Sequence, residues 1–81
     1  MSIDLFAGVA VSDLARSVSW FERFFGDVES FDANDTERVW TISEHRHVYV
    51  ELKPERAGNA MVTLFAEDFG AFVSGVAGRG I

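Results

Sequence analysis

Twice in this 81-residue chain, an apolar, β-branched run gives way at an aspartate to large apolar side chains at helical spacing. The first run, Ile3 to Val11 (IDLFAGVAV), meets Ser12-Asp13 and then Leu14, Val18, Phe21 and Phe25 before Gly26. The second, Ala60 to Ala66 (AMVTLFA), meets Glu67-Asp68 and then Phe69, Phe72, Val73 and Val76. Short apolar runs bounded by turn residues read as strands, an aspartate accepts from the free amides of a first helical turn, and spacings of three and four make an amphipathic helix. With an offset of 55, Asp68 falls on Asp13, Val73 on Val18 and Ser74 on Ser19, while Phe69 matches Leu14 and Val76 matches Phe21 in type. The chain is therefore expected to repeat a strand-then-helix unit.

Between the two units lie three more short segments. Val28 to Phe31 is expected to be a strand, and the polar stretch from Asp32 to Glu37 a turn or loop. Arg38 to Ser43 and His47 to Lys53 read as a hairpin around Glu44-His45-Arg46, and Pro54 ends the ladder because it has no amide hydrogen to donate. Strand alternation puts Ala7, Val9 and Val11 on one face of the first strand and Phe6, Gly8 and Ala10 on the other; both faces are expected to be buried. In the first helix, about residues 13–25, Trp20 and Phe24 form a second apolar row, so Trp20 is expected in the core. The last helix is weakened by Gly70, Gly75 and Gly78.

Length allows one small domain and one core. The composition, 48% hydrophobic and 14% aromatic, is that of a folding chain rather than a disordered one. There is no cysteine, which removes disulfides and thiolate chemistry and accords with a reducing, cytoplasmic setting. Thirteen acids against seven bases give a net charge of −6, which repels phosphate backbones, so no nucleic-acid partner is expected. No apolar run approaches the roughly 20 residues that span a bilayer, and Asp4 interrupts the place a signal peptide would occupy, so no membrane partner is expected either.

The pieces LFAGVAVSDLARSVSWFERFFG, VYVELKP and MVTLFAEDFGAFVSGVAGRGI resemble the vicinal oxygen chelate superfamily, which includes glyoxalase I, bleomycin-resistance proteins and extradiol dioxygenases. The most specific part is Val11-Ser12-Asp13-Leu14 with Ser17-Val18, Trp20-Phe21 and Gly26. The resemblance implies an α+β fold: a βαβββ module, about residues 1–54, followed by the first strand and helix of a second, about 59–81, in one glyoxalase/bleomycin-resistance-like domain. A mixed curved sheet would carry the helices on its convex side and enclose a ligand cavity between modules. The second module stops after its helix, so a homodimer is expected to complete the cavity unless the sequence continues.

In metal-dependent members, the resemblance implies ligands on the first strand of each module and a glutamate on the last. Counted back from the strand-to-helix junctions, those positions carry Phe6 and Met61, neither of which suits a hard or borderline cation; only Glu51 matches. One carboxylate does not build a catalytic divalent site, so no cofactor is expected from this chain alone. Glu51 is then a solvated strand residue, a carboxylate at the cavity floor, or a residual metal ligand, with Tyr49 and Lys53 on the same face. His45 and His47 have a spacing open to metal ligation, but at a hairpin tip they read as exposed turn residues. Phe6 and Gly8, with Met61, Thr63 and Phe65 on the equivalent strand, face the expected cavity, either leaving room for a ligand or filling it as core. The expectation is a metal-independent binder or sequestering protein for a small apolar or cationic molecule, using Phe6, Gly8, Tyr49, Glu51, Met61, Thr63 and Phe65. The alternative is a metal-dependent lyase or dioxygenase whose remaining ligands, and divalent ion, involve a partner chain or further residues.

Overall fold

The computed structural model describes residues 2–81. The chain runs β1 (Leu5–Val11), α1 (Leu14–Phe25), β2 (Glu29–Asn34), β3 (Glu37–Ser43), β4 (Arg46–Leu52), a 3-10 turn (Pro54–Arg56) and α2 (Phe69–Gly78). The strands form one mixed sheet in the order β1-β4-β3-β2. β1 lies parallel to β4, and the β2–β3 and β3–β4 pairs are antiparallel. This is the βαβββ arrangement expected for the first module.

The repeated junctions have the same local chemistry. Asp13 accepts from the amide of Arg16 at 3.1 Å, and Asp68 accepts from the amide of Ala71 at 3.0 Å, so each satisfies a first-turn donor three residues on. α1 ends at Gly26, whose φ of 72° is left-handed. Its apolar stripe covers one face of the sheet, where Leu14, Val18, Phe21 and Phe25 pack on Val11, Trp40 and Val50. Trp40 is 1% exposed and meets the tilted rings of Phe21 and Phe25 at centroid distances of 5.5 and 5.9 Å. α2 packs on α1: Phe24 meets Phe72 edge-on at 5.4 Å, and the Arg79 guanidinium donates to the carbonyls of Arg23 and Phe24 at the end of α1.

Four expectations change. β2 extends through Asn34 instead of stopping at Phe31, because Asp32 pairs with Arg38 across the ladder. The Arg38 guanidinium donates to the Asp32 carboxylate at 3.0 Å, and the turn shrinks to Asp35-Thr36, held by the Thr36 amide donating to Asn34 Oδ1. Ala60 to Ala66 is not a strand: among the described residues no backbone hydrogen bond joins residues 60–66 to the sheet, and a strand needs a ladder partner. β1 is buried on its Val9 and Val11 side only, since among the described residues no layer covers the other face and Phe6 is left half-exposed. Trp20 lies outside the core, partly exposed and stacked on Phe24 at 5.1 Å, because the stripe of α1 that faces the sheet is Leu14, Val18, Phe21 and Phe25, and the second row lies beside it.

Candidate functional site

Alternation along the strands assembles the face of the sheet opposite α1. β1 sends Phe6, Gly8 and Ala10 to it, and β4 sends His47, Tyr49 and Glu51, paired in that order by the parallel register. The Phe6 ring stacks on His47 with centroids 4.2 Å apart and planes 14° from parallel. The Tyr49 ring lies across Gly8 so closely that a Cβ added there would be 2.9 Å from Cε1 and nearer still to Cζ and the hydroxyl. A glycine at this strand position therefore serves close approach.

Beyond Tyr49 the face becomes charged. Glu51 Oε1 is 3.5 Å from Lys53 Nζ, with both side chains partly shielded from water. The 3-10 turn after β4 brings Arg56 and Asn59 alongside. Gly8, Tyr49, Glu51, Lys53, Arg56 and Asn59 line an open cavity of about 320 Å³.

Three of the expected residues, Gly8, Tyr49 and Glu51, thus meet at one cavity. Phe6 shares their face but sits at its far end, over His47. Met61, Thr63 and Phe65 do not join them: all three are exposed, Met61 and Phe65 at 94%, because the segment that carries them has no ladder to hold it against β1. Arg56 and Asn59 were missed as site residues. The one available signal was Pro54, which turns the chain directly after Glu51 and Lys53.

A second cluster forms at the other end of β1 and β4. His45 and His47 are not a pair of exposed turn residues. His47 is on β4, largely buried beneath Phe6, with Nδ1 hydrogen-bonded to the Thr41 hydroxyl at 3.0 Å and Nε2 facing Asp4 Oδ2 at 3.5 Å. His45 occupies the hairpin turn with φ 65° and bonds Asp4 Oδ1 through Nδ1. The hydrogen bond from His45 holds the Asp4 carboxyl below the usual aspartate value; partial loss of solvent opposes it, and the charge of His45 and the contact with His47 add smaller lowering effects. The parallel register, Leu5 opposite Arg46, puts Asp4 beside this turn. Among the described residues, no group of three or more His, Cys, Asp or Glu is arranged to hold a metal ion.

The sheet order, the helix-covered face and the open opposite face define a glyoxalase-like α+β module. A crystal structure of a glyoxalase/bleomycin resistance protein from Catenulispora acidiphila DSM 44928 superposes with a TM-score of 0.93 at 42% sequence identity, over 99% of this chain and 72% of that one. The chain belongs to the glyoxalase/bleomycin resistance protein family, within the vicinal oxygen chelate superfamily. No protein-family model matches it, and no curated relative does.

The residues at the family's ligand positions do not fit a catalytic metal. Phe6 has no lone pair and is stacked on an imidazole. It pairs with His47, four positions before Glu51, which at about 3.3 Å per residue separates the two positions by about 13 Å along the strands. Glu51 already faces the Lys53 ammonium. No helix is long and apolar enough to cross a membrane among the described residues.

Proposed function

We propose that the protein binds or sequesters a small molecule without a metal, on the open face of β1 and β4, as a cytoplasmic homodimer whose second copy supplies the opposing wall. The cavity itself carries this reading: it is lined by Ala10 and by the Tyr49 ring that lies over Gly8, with a few charged groups converging at one end. Dimerisation is supported by what the chain leaves uncovered. Among the described residues, β1 is an edge strand of the sheet, with β4 on one side and no strand on the other. Met61 and Phe65 are almost fully exposed, and Phe69 and Val73 leave α2 apolar on its outer side. A second reading, a metal-dependent lyase or dioxygenase with ligands from a partner chain or further residues, is favoured by Glu51 alone, which stands at a ligand position on the open face.

Native mass spectrometry of the purified protein tests both. A dimer mass that carries small-molecule adducts and no stoichiometric divalent ion is the expected result. A stoichiometric divalent ion would bring the enzyme forward, and a monomer that takes up no small molecule would overturn the binding reading.

A further inference from the structure

We propose that the cavity bounded by β1, β4 and the turn after β4 recognises a small organic oxyanion, a carboxylate, phosphate or phosphonate on an apolar body, with Arg56 and Lys53 as its anion-binding groups. This rests on the small-molecule reading above and supplies its ligand class. The whole chain has a net charge of −6, which by itself would favour cations. The cavity reverses that sign locally. Its charged lining is Glu51, Lys53 and Arg56, one acid against two bases. The acid is offset by the Lys53 ammonium 3.5 Å away. The Arg56 guanidinium forms no ion pair or side-chain hydrogen bond among the described residues, so its planar fork of donors is available.

The turn also fixes where that fork begins. The Arg56 amide donates to the Lys53 carbonyl at 3.0 Å, and Asn59 Nδ2 donates to the carbonyls of Arg56 and Ala57. Asn59 is thus a positioning residue: its amide hydrogens hold the turn. On the β1 side, the Tyr49 ring, seated over Gly8, and the small Ala10 give the cavity an apolar wall for the ligand's body. An oxyanion at this end would take Arg56 as a bidentate partner and share Lys53 with Glu51.

Glu51 therefore acts against the anion, and this gives the test a sign. Phenylphosphonate, benzyl alcohol and benzylamine, which share a ring and differ in charge, are titrated into the full chain while the backbone resonances of residues 8–10 and 49–59 are followed. Phenylphosphonate is expected to bind about tenfold more tightly than benzyl alcohol, with the margin shrinking as salt is raised. Arg56→Gln removes that margin, Glu51→Gln increases phenylphosphonate affinity severalfold, and Arg16→Gln on α1, an equal change in net charge elsewhere, leaves the margin intact. If benzylamine binds most tightly, or Glu51→Gln weakens phenylphosphonate, the anion assignment is overturned while the cavity still binds. If none of the three compounds moves these resonances, the small-molecule reading falls with it.

Discussion

The ring of Tyr49 occupies the space a side chain on Gly8 would need. The two residues are register partners on parallel strands, so the contact is set by the backbone pairing and not by a loop. Gly8→Ala should change folding stability by no more than about 1 kcal/mol, because a strand gains from losing glycine while the ring swings aside. It should displace the ring from the cavity. Tyr49 is the only tyrosine in the chain, so its ring resonances report the displacement directly; unchanged ring shifts in the variant would contradict the contact.

Trp40 is the largest side chain that is fully buried. Trp40→Ala should cost about 3–5 kcal/mol, most of the stability of a chain this size, and urea denaturation should show a largely unfolded variant. Trp20→Ala should cost much less, since Trp20 is partly exposed and its aromatic contacts are with Phe21 and Phe24 of its own helix.

Arg79 ties α2 to α1 through the carbonyls of Arg23 and Phe24, the latter at 2.9 Å, and its guanidinium lies against Gly26. Arg79→Ala leaves those end-of-helix carbonyls without that partner. Hydrogen exchange should accelerate through residues 69–78 while protection in β3 and β4 is retained; uniform acceleration would mean that the two helices and the sheet unfold as one unit.

Asp4 has a lowered folded-state pKa, chiefly through its hydrogen bond with His45. A carboxyl lowered on folding contributes stability that is present above its unfolded value, near 3.8, and is lost as pH falls through the lowered folded value. The stability difference between the native chain and Asp4→Asn should shrink in acid, as pH falls below about 4. A difference that grows in acid would contradict the assignment.

The parts of the fold that were legible in the sequence are those dictated by neighbours in the chain. Asp13 and Asp68 announce their helices because a cap needs only the next three residues. The hairpin of β3 and β4 shows in its alternation. What lay beyond reach depends on pairing. Asp32 to Asn34 looks like a loop by composition and becomes strand because Arg38 lies opposite. Ala60 to Ala66 has the composition of a strand and lacks a ladder among the described residues. At the site, Tyr49 and Glu51 follow from alternation on β4, but Arg56 and Asn59 reach the cavity by a turn whose direction no periodicity encodes. Asp4 meets His45 only through a parallel register that joins residues about forty positions apart.

That same register orders events as the chain is made. β2, β3 and β4 are sequence neighbours and can zip through short loops, whereas β1 must wait for β4, the last strand of the sheet, before it has anything to pair with. Until β4 is complete at Leu52, β1 has no strand to pair with, and the apolar stripe of α1 lacks Val50, one of the three buried residues it packs on. The pairing with the longest loop to close is thus that of β1 with β4, and the cavity that Gly8 and Tyr49 line comes into being only when those two strands meet.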